Sequence, residues 1–255
     1  HAAEILQRVT SLVDVQAKER TLLEPGHVYV IAPGTNLITD DGYVQPSAGS
    51  TKRPSMVIDL FFRSLGEVHR ERSVGVVLSG TGKDGSLGIA KIKECGGCTI
   101  AQSPEDCEHG DMPQAAIATG AVDLVLPAVE IGKRLIALAE SPVANAALRA
   151  YVGDPVTPSP AEEPSPERAL REVLNALRLR TRHDFRNYKR ATLMRRLERR
   201  VRVNNLPSIQ AYADFVHRNP EELAPLLADL LISVTNFFRD PPAFEALQTR
   251  VVPEI

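Results

Sequence analysis

The sequence predicts an α/β layer built partly on a parallel sheet, followed by an all-α helical domain, with a proline-rich linker between them. Three observations predict it. Apolar, β-branched runs alternate with helical periodicity up to about residue 140. From Asp154 to Pro166 the composition shifts to Pro155, Pro158, Pro160, Pro164 and Pro166, with Ser, Thr and Glu between them. After Glu167 only the helical period remains, and arginine crowds it.

The elements follow in order. Ile5, Leu6, Val9 and Leu12 have helical spacing. The run from His27 to Ala32 lies between Pro25-Gly26 and Pro33-Gly34, which reads as a strand between turns. Asp40-Asp41-Gly42 marks a hairpin turn into Tyr43-Val44, and 55–68 is a helix. The apolar run 74–78 suits a strand buried on both faces of a parallel sheet. A helix over 86–94, ended by Gly96-Gly97, and a strand from Cys98 complete a βαβ unit. A helix over 113–119, a strand over 122–126 and a helix over 129–139 close the layer. The linker buries too little apolar surface to offset its ordering entropy and reads as an extended, semi-rigid spacer. Beyond it, helices are expected over 167–179, 190–203, 209–217 and 221–231.

A chain of 255 residues is comfortable for two domains, and 43% hydrophobic content allows each a core. The net charge of −2 hides an asymmetry, because the stretch from Arg168 to Arg202 is strongly basic and the linker before it is acidic. Such a local surface points to an acidic partner. Three cysteines form no disulfide framework, so a reducing cytoplasm fits. No run approaches a membrane span, and neither a signal peptide nor membrane insertion is expected. His1 in place of Met points to a chain trimmed or cut from something longer.

Gly80-Thr81-Gly82-Lys83-Asp84-Gly85 matches the dinucleotide fingerprint after a strand and before a helix. Asp84 argues against it, since a carboxylate in that cradle repels a pyrophosphate. Asp84 instead stands where open α/β sheets place their chemistry, beyond the carboxyl end of a strand. It reads either as an acid that orients a histidine, as in a Ser-His-Asp triad, or as a turn or helix-cap aspartate. Cys95, Cys98, Cys107 and His109 can be written as a zinc set. The plainer reading makes Cys95 the end of a helix and Cys98 the start of a strand. His27 reads as structural, and His109 and His183 as loop residues. In 190–203, Leu193, Leu197 and Val201 face a core, while Arg195, Arg196, Arg199, Arg200 and Arg202 occupy most of the rest. That face is read as solvated, or as a site for an acidic protein surface. The chain lacks the aromatic stacking set of a nucleic-acid binder, so nucleic acid is not expected as a partner.

Residues 22 to 138 resemble the C-terminal part of the chemoreceptor protein-glutamate methylesterases (CheB-type). The resemblance rests on PGHVYVIAPG at 25–34, RPS at 53–55, VGVVLSGTGKDGSLGIAKIKECGG at 74–97 and the run 99–127. Residues 167 to 255 resemble the N-terminal part of the chemoreceptor glutamate methyltransferases (CheR-type), through YKRATLMRRLERRVRVNNL at 188–206 and the run 230–255. The order is that of bifunctional fusions. The resemblance implies an esterase part over 1–140, a linker over 141–166, a helical domain over 167–240 and the start of a methyltransferase domain over 241–255.

By resemblance, Asp84 is the acid of the esterase triad and Thr81 and Gly82 lie beside the oxyanion site. The nucleophilic serine and the base histidine belong upstream, and no G-x-S-x-G elbow occurs in this sequence. Ser233, Thr235 and Arg239 would contribute to an S-adenosylmethionine site, although the family usually has Asn at Ser233. Arg195, Arg196, Arg199 and Arg200 would dock on methyl-accepting chemoreceptor-like proteins. No metal is implied. The expected parent hydrolyses receptor glutamate methyl esters and methylates receptor glutamates, with this chain inactive alone. The alternative is a non-enzymatic receptor-binding adaptor that uses the basic helix.

Overall fold

Short β-branched runs and the glycine turns between them shape the first half of the chain. A computed structural model describes residues 5, 8, 10–40, 42–47, 56–140, 166–185 and 188–231. Strand β1 (Val13–Ala17) pairs in parallel with β3 (His27–Ile31). Strands β4 (Asn36–Asp40) and β5 (Tyr43–Ser47) form a hairpin whose turn needs the positive φ of Gly42, and β2 (Thr21–Leu22) joins the other side of β5.

A parallel sheet carries the rest of this half. Its order is β6 (Val74–Val77), β7 (Cys98–Gln102) and β8 (Leu124–Leu126). All five residues of β7 are buried, as befits a strand covered on both faces. Helices α1 (Val57–His69), α2 (Ser86–Glu94) and α3 (Asp111–Ala118) build one core, in which Phe62, Ile89, Ile92 and Ala116 meet Val77 of β6. Helix α4 (Ala128–Glu140) places Ile131 against Cys98 and Ile100 in another. Val203, from the helical half of the chain, completes that second cluster.

The helical half comprises α5 (Pro166–Thr181), α6 (Arg190–Val203), α7 (Ile209–Arg218) and α8 (Leu223–Leu231). Leu177, Leu197, Tyr212 and Leu226 are fully buried in its core. Burying each such leucine contributes about 1.5–3 kcal/mol. The Ser208 side chain accepts the Ala211 N–H at 3.2 Å and caps α7.

Several boundaries differ from expectation for local reasons. β8 starts at Leu124 because at Asp123 the side chain replaces the ladder, its Oδ2 accepting the Thr99 N–H at 3.0 Å. The helix expected from Glu221 starts at Leu223, after a 3-10 turn over Pro220–Glu222. β4 is the first arm of the hairpin expected at Asp40-Asp41-Gly42, whereas β1 and β2 have no counterpart in the expected elements. Most of the helix expected near the start lies outside the described residues, as does the linker up to 165.

Candidate functional site

The segment that leads from β6 into α2 is built on glycines. Gly82 and Gly85 have φ of 87° and 93°, a region that costs other residues strain. A Cβ on Gly85 would also stand 2.9 Å from Ile58 Cγ2. The base of the loop is pinned from the next crossover: Gly80 N–H donates to the His109 carbonyl at 2.9 Å, and Met112 N–H donates to the Gly80 carbonyl at 3.0 Å. Ser79 N–H donates to Gln102 Oε1 at 2.9 Å. His109 thus supports the loop through its backbone.

Asp84 is half-buried at the far end of this loop. Its Oδ2 accepts the Ile58 N–H and its Oδ1 the Asp59 N–H, each at 3.0 Å. Both are first-turn donors of α1, which have no partner within the helix. Asp84 therefore caps a helix 26 residues before it. Capping and catalysis are compatible, because a carboxylate has about four acceptor positions and two are used here. Asp59 itself is buried, and its Oδ1 accepts the Gly88 N–H of α2 at 2.7 Å. Asp59 Oδ2 is buried with no hydrogen-bond partner among the described residues. Two carboxylates thus take the amides of adjoining helix starts, which leaves the fingerprint loop ill suited to a pyrophosphate. Thr81 and Gly82 are exposed, and among the described residues their amides have no partner.

The cysteines take the plainer of their two readings. Cys95 follows the end of α2, Gly96 turns with φ of 96°, and Cys98 opens β7. Cys98 is buried, and burial pushes its thiol up to about 11. Cys107 donates its thiol hydrogen to the Ser103 carbonyl at 3.3 Å.

The arginine helix α6 holds a second constellation. Of its four candidate docking arginines, Arg195 is exposed, while Arg196, Arg199 and Arg200 are buried. Arg199 donates to Asp123 of the α/β half, to Asp229 of α8 and, at 3.0 and 3.1 Å, to the Gly97 carbonyl. Lys93 Nζ lies 3.1 Å from Asp123 and 3.5 Å from Asp229. Arg200 forks onto Glu222 at 2.7 and 2.8 Å, and Tyr212 donates its hydroxyl to the same carboxylate at 3.0 Å. Arg199, Arg200 and Lys93 thus face Asp123, Asp229 and Glu222 and balance them, while Arg196 is a fourth buried cation whose charge burial disfavours. Burial would push the Asp123 carboxyl up, but Arg199 and Lys93 outweigh it and hold the group below its ordinary value. Burial likewise opposes the Arg199 charge, and Asp123 and Asp229 reverse the balance.

Reading the sequence missed Lys93, Asp123, Asp229 and Asp59. A signal existed for the three aspartates, since each is a lone carboxylate within an apolar run: Val122-Asp123-Leu124, Ala228-Asp229-Leu230 and Ile58-Asp59-Leu60. Ser233, Thr235 and Arg239 lie outside the described residues.

Comparison with known proteins gives this geometry a context. The profile described as CheB methylesterase matches residues 1–135, and that described as the all-alpha domain of CheR methyltransferase matches residues 168–231. An uncharacterized 104.1 kDa protein of Rhodobacter capsulatus is 33% identical over 98% of this chain and 27% of its own length. A protein-glutamate methylesterase/protein-glutamine glutaminase of Photorhabdus laumondii is 35% identical over 53% of this chain and 40% of its own. The protein-glutamate methylesterase FrzG of Myxococcus xanthus is 36% identical over 52% of this chain and 41% of its own. The chain therefore spans less than half the length of these relatives. With residues 1–135 of 255 matched, the protein belongs to the CheB methylesterase family, and a CheR-type all-alpha domain follows in the same chain.

Proposed function

We propose that this chain is the junction of a two-activity receptor modifier, in which an esterase removes methyl groups from receptor glutamates and a transferase adds them. The observation that carries the esterase half is Asp84, placed beyond the carboxyl end of β6 with acceptor capacity to spare. In the complete esterase, the histidine that takes the serine proton would donate its other ring N–H to Asp84, which fixes its tautomer and stabilises the imidazolium. The serine would attack the ester carbonyl, expelling methanol. The exposed amides of Thr81 and Gly82 are suited to hold the oxyanion.

On the transferase side, Ser233, Thr235 and Arg239 are proposed to meet S-adenosylmethionine, which supplies the methyl group. The helical half is proposed to present α6 to acidic receptor helices, with Arg195 as its open contact. The adaptor reading gains less support, because three of the four docking arginines are buried. Among the described residues no helix is long and apolar enough to cross a membrane. A cytoplasmic setting is proposed on the free thiols and the receptor-directed chemistry.

The test measures methanol release from a methylated receptor. The longer parent polypeptide is expected to release it, and Asp84→Asn to slow it by about 10⁴-fold, the loss seen when a triad acid is neutralised. The 255-residue chain alone is expected to show no hydrolysis above buffer; hydrolysis that Asp84→Asn abolishes would contradict that. Duplex DNA is expected not to bind at physiological salt.

A further inference from the structure

We propose that the α/β half occupies the basic face of α6 in place of an acidic partner helix, so that the two compete for the same guanidinium groups. This rests on the docking role proposed for α6 and adds that the role is gated within the chain.

The occupied face is made of acceptors. Arg202 donates to the Glu71 carbonyl at 2.8 Å and to the Gly96 carbonyl at 3.3 Å. Arg199 takes the Gly97 carbonyl and the Asp123 carboxylate. From the other side, Arg134 of α4 donates to the Val203 carbonyl. Three carbonyls and one carboxylate occupy arginine donors that the carboxylates of a glutamate-rich helix would otherwise take. The α/β half is thus a chemical substitute for such a partner.

The interface is also constructed so that it can part. Within the α/β half, Asp123 keeps Lys93 and the Thr99 hydroxyl, the latter at 2.8 Å. Within the helical half, Arg199 keeps Asp229 and Arg200 keeps Glu222. Separation therefore leaves each carboxylate with a cation of its own half, and the large penalty for an orphaned buried charge does not arise. Apolar contact across the seam centres on Val203 against Cys98, Ile100 and Ile131. Arg195 stays exposed one helical turn before Arg199, where an acidic partner can make first contact while the seam is shut.

Cys98 reports opening, because it is 8% exposed beneath Val203. Arg202→Ala removes bonds made only to the α/β half. Its charge favours the Cys98 thiolate, so loss of that charge alone slows alkylation, and acceleration reports greater access to the thiol. With the 255-residue chain, N-ethylmaleimide is expected to label Cys98 about tenfold faster in Arg202→Ala than in wild type. Cys107, whose thiol donates to the Ser103 carbonyl, serves as the internal control. A glutamate-rich helical peptide is expected to bind Asp123→Asn about tenfold tighter than wild type, because more of the chain is binding-competent. Unchanged Cys98 labelling, or equal peptide affinity in both chains, overturns the competition alone. Faster Cys98 labelling with no peptide binding to either chain overturns the docking role, and the competition with it.

Discussion

Asp84 and Asp59 cap one another's helices. Asp84 accepts the Asp59 N–H at the start of α1, while the Asp59 carboxylate accepts the Gly88 N–H at the start of α2. The loop that carries Asp84 is thereby tied at both ends to one rigid corner. Asp59→Ala leaves the buried Gly88 N–H without its acceptor, and the expected cost is about 1–3 kcal/mol. Asp59→Asn keeps an acceptor of the same shape and is expected to cost less. Urea unfolding of the two variants checks the order; equal losses would show that the Gly88 bond contributes nothing.

Gly88 is expected to defy the usual rule that alanine stabilises a helix interior by about 1 kcal/mol relative to glycine. A Cβ there would stand 2.6 Å from Phe62 Cβ and 3.0 Å from the Asp59 Cα and carbonyl. Backbone cannot swing aside as a side-chain tip can. Gly88→Ala is expected to push α1 from α2 and lower stability by about 1–3 kcal/mol, the range for overpacking. Thermal unfolding reads the sign.

The periodic elements were legible because their signals are local. The turns and the helix of the βαβ unit follow from Gly82, Gly85 and Gly96-Gly97, and α6 spans the residues its pattern predicted, Arg190–Val203. Asp84 was visible as an acid among glycines, but its capping of α1 was not, since its partners lie 25 and 26 residues away. The arginines misled for a related reason. A basic helix reads as solvated when its partners are out of view. Asp123 and Asp229 are single carboxylates in apolar runs, and their pairing with Arg199 exists only in three dimensions.

Arg199 should dominate the energetics of the seam. Removing one member of a buried charged cluster costs about 3–5 kcal/mol, because the partners stay buried. Arg199→Ala leaves Asp123 and Asp229 sharing Lys93 and the more distant Arg200, and is expected to lie in that range. Arg199→Lys keeps the charge without the planar fork, so it cannot serve two carboxylates and the Gly97 carbonyl together, and is expected to fall between. The same cluster predicts an acid limit. The Asp123 carboxyl is held below its ordinary 3.8, so its contribution is present above that value and is lost as pH falls through the lower folded value. Stability measured from pH 5 downward should drop more steeply in wild type than in Asp123→Asn.

At the alkaline end Cys98 sets the slope. Its thiol is pushed from 9.0 to about 11, first by burial and then by Asp123. A folded value raised above the unfolded one gives stability that is complete below pH 9 and declines as pH rises towards 11, because only the unfolded chain then ionises. Two pH units of difference correspond to about 2–3 kcal/mol. Cys98→Ala removes the titrating group. It is expected to lower stability at pH 7 by opening a small cavity against Val203 and Ile131, yet to flatten the loss between pH 9 and 11. Urea unfolding of both proteins across that window separates the two effects, since the cavity shifts the whole curve and the thiol changes only its slope. Parallel curves would show that Cys98 ionises as readily in the folded chain as in the unfolded one, and that the seam above it is already open.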